Sequence, residues 1–213
     1  QRNRILSEAA HADIVLFLDD DFLLGPGYLQ ALERVFLGDP SIVMCTGRVE
    51  ADGILGAGFT TAEGLAFLDG NRRDALEADK GPHPAYSAYG CNMAVRLAAV
   101  RAAGAQFDEA LPLYGWLEDF DFSRQMAAQG RIVRSDAARG VHLGTKVGRS
   151  PGMRLGYSQI ANPIYLLRKK TMSPRHALVQ MARNVAANIV RVPRPEPWVD
   201  RRGRLKGNLR AMA

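Results

Sequence analysis

Three adjacent carboxylates, Asp19, Asp20 and Asp21, are the first residues in this sequence whose types and spacing could do chemistry. They directly follow an uninterrupted apolar run, Ile14–Leu18. Adjacent carboxylates at the end of a buried strand repel one another, and desolvation makes that repulsion more costly. A divalent cation with oxygen ligands would offset it, whereas an acidic turn in water would need no ion. Since side chains alternate along a strand, we expect Asp19 and Asp21 to share a face that Asp20 does not.

Two further segments could supply a base and a nitrogen ligand. Glu118, Asp119 and Asp121 follow Trp116 at the start of a predicted helix. Acids in a first turn are stabilised by the helix dipole, and the same position is a rigid mount for a base that abstracts a proton. His142 could complete a metal site made of carboxylates, or it could be an ordinary buried histidine. The residues alone leave both alternatives open.

A glycine and an asparagine form the fourth candidate group, in the segment GCNMAVR at residues 90–96. Gly90 and Asn92 just ahead of a predicted helix could let the backbone approach a ligand closely. The alternative is an ordinary link between a strand and a helix.

The elements that must position these groups alternate between strands and helices. Residues 12–21 are predicted to form a strand buried on both faces, as in the middle of a parallel sheet. Residues 28–37 are predicted as a helix and 41–49 as a strand, which indicates an α/β fold. The shorter predictions are strands at 86–89, 132–133 and 140–143, helices at 96–103 and 118–129, and a long loop containing one helix at 52–84.

Residues 151–213 are predicted to form a helical, basic C-terminal extension. We expect its helices to be interrupted at Pro163 and Pro174, and residues 193–197 (PRPEP) to be a Pro-rich linker. The helix at 175–190 has an apolar face that could lie on an anionic membrane surface or pack on the catalytic domain. That predicted face consists of Leu178, Met181, Val185 and Ile189.

Composition narrows the class of protein. The 213 residues are 47% hydrophobic and 23% charged, which is typical of a globular chain. The net charge of +6 raises nucleic acid as a partner, but seven Arg or Lys lie between residues 191 and 210 and no aromatic stacking pattern accompanies them. We therefore expect no nucleic acid partner. Cys45 and Cys91 lie in apolar stretches and are expected to be buried thiols, which fits a reducing cytoplasm.

Taken together, these segments resemble family 2 glycosyltransferases of the GT-A fold, over residues 1–170. Arg2-Asn3 resembles the family's "ARN" segment, and ADIVLFLDDDF resembles the strand that ends in the DxD motif. YGCNMAVR followed by FDEAL resembles the stretch that lines the acceptor side. WLEDFDFSRQMAAQGRIV resembles the segment that carries the catalytic base, and VHLG resembles the family's histidine after the final strand.

The resemblance implies a Rossmann-like mixed sheet flanked by helices, with a partial catalytic domain at 1–150 and the helical extension at 151–213. It implies an inverting enzyme that transfers a sugar from a nucleotide-diphosphate donor to an acceptor hydroxyl, in cell-surface polysaccharide or glycolipid synthesis. The cofactor would be Mn²⁺ or Mg²⁺, held on the donor diphosphate. The implied metal ligands are Asp21, Asp19 and His142, and the implied donor-binding residues are Arg2, Asn3, Asp19 and Asp20.

The same resemblance makes Asp119 the catalytic base, with Glu118 as its catalytic neighbour. Asn92, Trp116 and Asp121 would lie on the acceptor side. The donor would be a UDP-sugar by family frequency, with dTDP and GDP as alternatives, and the acceptor a glycan or a lipid-linked glycan. The expected location is cytoplasmic, with peripheral contact at the inner face of the cell membrane.

The family's N-terminal βαβ portion, which holds the nucleobase, has no counterpart in this chain. We therefore expect the chain to be a fragment that binds donor poorly by itself. Two alternatives remain: a non-catalytic nucleotide-sugar-binding or scaffold module, and a phosphohydrolase of the haloacid dehalogenase type. The latter needs a later acidic pair at a strand end, whereas Asp119 and Asp121 begin a predicted helix.

Overall fold

The computed structural model describes residues 1–70, 81–113, 115–145 and 151–213. The chain divides into two compact units: Gln1–Phe107 with Phe122–Thr145, and Asp108–Asp121 with Lys146–Ala213. The second unit therefore includes residues 108–121, which lie within the partial catalytic domain predicted at 1–150.

A mixed sheet forms the centre of the first unit. Its order is β1-β5-β3-β6-β2, with β4 paired to β6. β3 and β6 are parallel, and the other pairs are antiparallel. This confirms the predicted mixed α/β architecture. The strands are β1 Ile14–Leu18, β2 Phe22–Leu24, β3 Ile42–Asp52, β4 His83–Pro84, β5 Asn92–Arg96 and β6 Arg131–His142.

Helices connect these strands. Those predicted at 28–37 and 96–103 are confirmed, and the helix expected inside the long loop is α3; residues 71–80 of that loop lie outside the described residues. The helix predicted at 118–129 is α5, which ends at Met126. The boundary between the two units falls within α5. The helices are α1 Arg2–Glu8, α2 Tyr28–Gly38, α3 Thr61–Gly70, α4 Leu97–Ala103 and α5 Glu118–Met126.

The position predicted for β1 is wrong. Among the described strands β1 lies at an end of the sheet order and pairs only with β5, antiparallel. Val15 and Phe17 are buried, while the alternate residues Ile14 and Leu16 are partly exposed. A continuous apolar run suits either a central or an edge strand, so the pattern did not distinguish them. β1 and β2 are also at opposite ends of this order, although only residues 19–21 separate them in the chain.

Three further strand predictions need correction. Residues 92–96, for which the sequence offered a ligand contact or a link as alternatives, form β5 between β1 and β3. The strand expected at 86–89 is absent from the described residues there, and the nearby strand is β4. The two short strands at 132–133 and 140–143 are one strand, β6. The polar residues in the middle of β6 hid its continuity, yet β6 stays paired with β3 across an irregularity at Gly47/Arg48.

Two clusters of buried side chains cover the sheet. Met93 and Val95 of β5 belong to one cluster and Ala94 to the other. Since neighbouring residues of a strand point to opposite faces, the clusters lie on opposite faces of the sheet. Cys45 and Cys91 are both buried in the second cluster, as predicted.

Three helices dominate the second unit: α6 Gly152–Lys169, α7 Pro174–Arg191 and α8 Arg201–Met212. The interruption predicted at Pro163 is wrong, because α6 continues through this buried residue. Pro174 begins α7 as predicted, with Ser173 as the N-cap that accepts from the His176 N–H. The predicted linker lies in the non-helical stretch between α7 and α8.

Close backbone approach and a buried polar network hold these helices together. A Cβ on Gly207 of α8 would lie 2.2 Å from the Met153 carbonyl oxygen of α6, so only glycine fits at this contact. Asn188 and Asn208 have no exposed surface and are joined by a 2.8 Å hydrogen bond. Both also donate to Gln159, which ties all three helices to one buried centre. Among the described residues, no helix combines the length and the apolar character needed to cross a bilayer.

Candidate functional site

The ends of three strands bring the candidate ligands together in the first unit. β1 ends at Leu18, and residues 19–21 form a turn in which the Phe22 N–H donates to the Asp19 carbonyl at 3.1 Å. β2 then pairs with β6 so that Phe22 lies opposite His142. On the other side of β6, Asp52 of β3 is the register partner of His142. The aspartates that follow β1 therefore meet the last residues of β3 and β6.

Asp19, Asp21 and His142 have the geometry of a metal site. Each offers one ligand atom, and these atoms lie within 4.8 Å of one another. The exposed fraction is 5% for the His142 side chain, 19% for Asp21 and 39% for Asp19, so the group opens to solvent on its carboxylate side. Two carboxylates and an imidazole are a donor set suited to Mn²⁺ and, through the oxygens, Mg²⁺. The residues present fit such an ion.

Asp20 is exposed and stands outside this group. Asp19 and Asp21 share a side, as the alternation argument expected. The cause differs, because residues 19–21 form a turn and not the end of a strand.

The electrostatics of the group favour a cation. Burial, together with the charge of Asp21, raises the pKa of Asp19 although the charges of Arg2 and His142 act to lower it. Burial would lower the pKa of His142, but the hydrogen bond and charge of Asp52 and the charges of Asp21 and Asp19 raise it above its ordinary value. Each group thus retains a proton more readily than in water, Asp19 chiefly because it is buried and His142 because carboxylates surround it.

The Asp21 side chain is fixed by the backbone that follows β6. Its Oδ2 accepts from the Thr145 N–H at 2.8 Å, and its carbonyl accepts from the Leu143 N–H at 2.9 Å. The other oxygen, Oδ1, lies 3.4 Å from Nε2 of His142. One carboxylate oxygen is therefore anchored while the other faces the candidate ion position.

Arg2 and Asn3 have different surroundings. Arg2 Nη2 donates to Asp19 Oδ1 at 3.3 Å and to the Gly90 carbonyl at 3.2 Å, so the guanidinium borders the candidate metal group. Asn3 exchanges two 2.8 Å hydrogen bonds with the backbone of Phe107. Its amide fastens α1 to that segment, which places Arg2.

Sequence reasoning missed Asp52 and Tyr89. Nδ1 of His142 lies 2.8 Å from Asp52 Oδ1, and the Tyr89 hydroxyl donates to Asp52 Oδ2 at 2.9 Å. Burial would raise the pKa of Asp52, but hydrogen bonds from His142, the Ile54 N–H and Tyr89 lower it. Asp52 lies in the segment predicted as a loop at 52–84, three residues after the strand predicted at 41–49. In the structure β3 continues to Asp52, and an acid shortly after an apolar strand was the signal available in the sequence.

Asn92 is fully buried in the sheet. Its Oδ1 accepts from the Gly47 N–H at 3.0 Å and from the Thr46 hydroxyl, which joins β5 to β3. These hydrogen bonds account for the burial of Asn92, and its predicted role on the acceptor side stays a prediction.

The acidic segment predicted to hold the base lies in the second unit. Glu118 and Asp119 occupy the first turn of α5 and are partly exposed. The preceding backbone is left-handed at Leu113 (φ 54°), Gly115 (φ 67°) and Leu117 (φ 75°). A left-handed leucine costs on the order of 1 kcal/mol and persists where the surroundings dictate the conformation. The start of α5 is therefore held in a specific geometry.

Asp121 is held inside this unit. Its carboxylate has no exposed surface and accepts from Lys169 Nζ at 2.7 Å and from the Thr171 hydroxyl at 2.6 Å. Lys169 also contacts Asp108 at 2.5 Å. These contacts fix the first turn of α5 against α6.

The backbone of Trp116 is hydrogen-bonded to α6, because the Asn162 side-chain amide donates to the Trp116 carbonyl at 2.7 Å. Its side chain is partly exposed.

No family model matches the chain, and no curated protein matches it. Among solved structures, the fold is similar to the mannosyltransferase PcManGT from Pyrobaculum calidifontis in complex with GDP-Man and Mn²⁺. The likeness covers 89% of this chain and 55% of that chain, with 17% sequence identity and a TM-score of 0.48. The chain thus spans about half the length of that protein. A likeness at this level does not assign an activity, and membership of family 2 stays a prediction.

Proposed function

We propose that this protein is a metal-dependent glycosyltransferase that moves a sugar from a nucleotide-diphosphate donor to an acceptor hydroxyl. The observation that carries the proposal is the convergence of Asp19, Asp21 and His142 at the ends of three strands, with Arg2 at their border. In open α/β sheets, ligands bind where strands end. The sequence motifs that resemble family 2 enzymes include all of these residues.

The donor diphosphate is the group that this site would hold. A divalent ion held by Asp19, Asp21 and His142 would neutralise the charge that develops as the nucleoside diphosphate leaves. Arg2 adds a positive charge beside Asp19 and is suited to contact the donor, while Asp20 is exposed next to it. Asn3 acts indirectly by fixing α1.

We assign the role of base to Asp119, with Glu118 beside it. The acceptor hydroxyl gives its proton to the Asp119 carboxylate while its oxygen forms a bond to the anomeric carbon. The bond from that carbon to the diphosphate breaks in the same step, which inverts the configuration. One base within hydrogen-bond reach suffices for this single displacement. Asp121 would keep the turn that carries Asp119 in place, and Trp116 would contribute to the acceptor side.

The activity test is a donor screen with the full-length gene product. Hydrolysis and transfer are measured with UDP-, GDP- and dTDP-sugars, with Mn²⁺ and with chelator, using glycan and lipid-linked acceptors. We expect metal-dependent donor hydrolysis, with UDP-sugars as the first choice. The variant Asp21→Asn should lose most of the metal-dependent donor hydrolysis. The matched control is Asp13→Asn, which changes the same charge at the exposed start of β1. No metal-dependent hydrolysis with any donor would contradict the proposal.

The base is tested separately. Asp119→Asn keeps the shape of the side chain but removes the proton acceptor, so transfer should fall by about 10²–10⁴-fold. Unchanged turnover would exclude Asp119 as the base, and a wild-type protein that binds donor without any turnover would favour the scaffold alternative.

We also propose peripheral contact with an anionic lipid surface, at the inner face of the membrane, through the second unit. Residues 151–213 contain thirteen Lys or Arg against two acids, Glu196 and Asp200. On α7, Leu178 and Val190 are 65% and 75% exposed. Exposed apolar groups among cationic side chains suit an anionic bilayer, and α7 exposes no aromatic side chain that would stack on nucleic acid bases.

The exposed face differs from the predicted one, because Met181 packs against the cluster around Leu166. Vesicle sedimentation tests the contact. The double variant Leu178→Ser/Ile189→Ser should lose binding to phosphatidylserine vesicles, whereas Leu55→Ser, which changes a still more exposed leucine of the first unit, should keep it. Binding to nucleic acid without vesicle binding would refute this proposal.

A further inference from the structure

We propose that Asp52 and Tyr89 are positioning residues that orient His142 for the divalent cation. The inference rests on the metal site of the proposed function. It concerns side chains outside the candidate ligand set: Asp52 lies in none of the sequence motifs, and Tyr89 begins YGCNMAVR without an assigned role.

The first step is the direction of the imidazole. Nδ1 of His142 is 2.8 Å from Asp52 Oδ1, while Nε2 faces Asp21 Oδ1 at 3.4 Å. A carboxylate accepts only, so it holds a proton on Nδ1 and leaves the lone pair of a neutral ring on Nε2. That is the nitrogen that lies beside Asp21, one of the other two candidate ligands. Carboxylates behind metal-binding histidines commonly act in this way.

The second step is the anchoring of Asp52 itself. Its Oδ1 also accepts from the Ile54 N–H at 3.0 Å, and its Oδ2 accepts from the Tyr89 hydroxyl at 2.9 Å. Hydrogen bonds therefore fix the position of both carboxylate oxygens of Asp52. The Tyr89 ring stands perpendicular to the His142 ring, with centroids 6.0 Å apart, so Tyr89 both packs the imidazole and orients the carboxylate.

The third step is the sheet that supports the arrangement. Asp52 and His142 are register partners on the parallel strands β3 and β6. The Tyr89 N–H donates to the Thr46 hydroxyl of β3 at 3.2 Å. Asp52, His142 and Tyr89 are thus all held by hydrogen bonds to the sheet. The imidazole is therefore oriented without an ion.

A merely structural role for Asp52 predicts a different outcome. Asp52 also closes the turn at Gly53–Leu55 through the Ile54 N–H. If this were its whole role, removing the carboxylate would lower stability and leave the affinity for the ion unchanged. The affinity is therefore the measurement that separates the two roles.

The test measures Mn²⁺ binding to the 213-residue chain, from the electron paramagnetic resonance signal of free Mn²⁺. Asp52→Ala should weaken binding by about 10–100-fold, because the imidazole loses its orienting acceptor. Asp52→Asn keeps an oxygen that can face Nδ1 and should retain part of the affinity. Tyr89→Phe should give a smaller loss than Asp52→Ala.

The matched control is Asp39→Ala. Asp39 closes a comparable turn, accepting from the Ser41 N–H at 2.8 Å, and has no histidine partner among its described contacts. It should leave Mn²⁺ affinity unchanged. A second readout is the ¹⁵N NMR spectrum of the Zn²⁺-loaded chain, which should show His142 protonated on Nδ1 and bound through Nε2.

The outcomes separate the inference from the proposed function. If the wild-type chain binds no Mn²⁺, the metal site fails and the inference fails with it. If the wild type binds Mn²⁺ and Asp52→Ala binds it equally well, the inference is overturned while the metal site stands. If Asp52→Ala does not fold, unchanged affinity in both Asp52→Asn and Tyr89→Phe overturns it equally.

Discussion

Replacing Lys169 by methionine should destabilise the second unit far more than the same change at its neighbour Arg168. Lys169 Nζ contacts both Asp121 and Asp108, at 2.7 and 2.5 Å. Methionine keeps most of the aliphatic volume but removes the charge. The Asp121 carboxylate, which has no exposed surface, would then lose its cationic partner.

The size of the effect follows from burial. Breaking a buried ion pair by removing one partner costs about 3–5 kcal/mol. The Lys169 side chain is 29% exposed, so solvent relieves part of this and we expect a loss near the lower figure, about 3 kcal/mol. Arg168 is exposed on the same last turn of α6, so Arg168→Met tests the helix-end charge alone and should cost about 0.5 kcal/mol or less.

The assay is urea unfolding followed by tryptophan fluorescence. Both tryptophans of the chain, Trp116 and Trp198, lie in the second unit, so the signal reports on the unit that holds Lys169. The free energy of unfolding is compared between wild type, Lys169→Met and Arg168→Met. Equal midpoints for the two variants would refute the reasoning.

Acid provides a second check on the same variant. Burial would raise the pKa of Asp108, but its hydrogen bonds, that of Lys169 first, lower it below the usual value. A depressed carboxyl pKa stabilises the fold above the ordinary pKa, and this stabilisation is lost as the pH falls through the folded value. The deficit of Lys169→Met should therefore be constant near neutrality and shrink in acid. A deficit that does not change in acid would exclude the charge as its cause.

Three further predictions concern packing and reactivity. Gly207→Ala places a Cβ 2.2 Å from the Met153 carbonyl oxygen and should lower the free energy of unfolding by about 1–3 kcal/mol, measured by thermal unfolding. Gly38→Ala, where the added Cβ meets open space, should leave it unchanged. Burial raises the pKa of Cys45 to about 12, so this thiol should not react with Ellman's reagent at pH 8 until the protein is denatured, and stoichiometric labelling of native protein would contradict this. Asn92→Ala removes the acceptor of the buried Gly47 N–H and should cost about 1–3 kcal/mol, measured by urea unfolding, while a loss of activity with unchanged stability would support the predicted acceptor-side role.

The sequence predicted elements whose pattern is local. The helical spacing of α2 and α4 was sufficient to locate them, because each buries one face and its periodicity shows in the residues themselves. β5 was missed for the opposite reason: Asn92 is polar, yet it is buried by hydrogen bonds to a strand about 45 residues earlier in the chain. The continuity of β6 was hidden in the same way by polar residues whose partners lie on β3.

The residues of the candidate site also separate into those that the sequence reveals locally and those whose role depends on distant contacts. Asp19, Asp21 and His142 were recognised because carboxylates and imidazole after apolar strands are chemically conspicuous. Asp52 and Tyr89 were not, because their role comes from the register of β3 on β6, which sequence spacing does not contain. Asp121 has a conspicuous residue type, but Lys169 and Thr171, which come from distant positions, surround its carboxylate.

The turn at residues 19–21 joins strands at the two ends of the sheet order, and its backbone is held from both sides. The Asp19 N–H donates to the Cys91 carbonyl just before β5, and the Asp21 carbonyl accepts from the Leu143 N–H just after β6. The backbone positions of Asp19 and Asp21 thus depend on the pairing of β1 with β5 and of β2 with β6. A substitution that loosens either strand pair would therefore also displace a candidate ligand, even when it lies far from the carboxylates in the sequence.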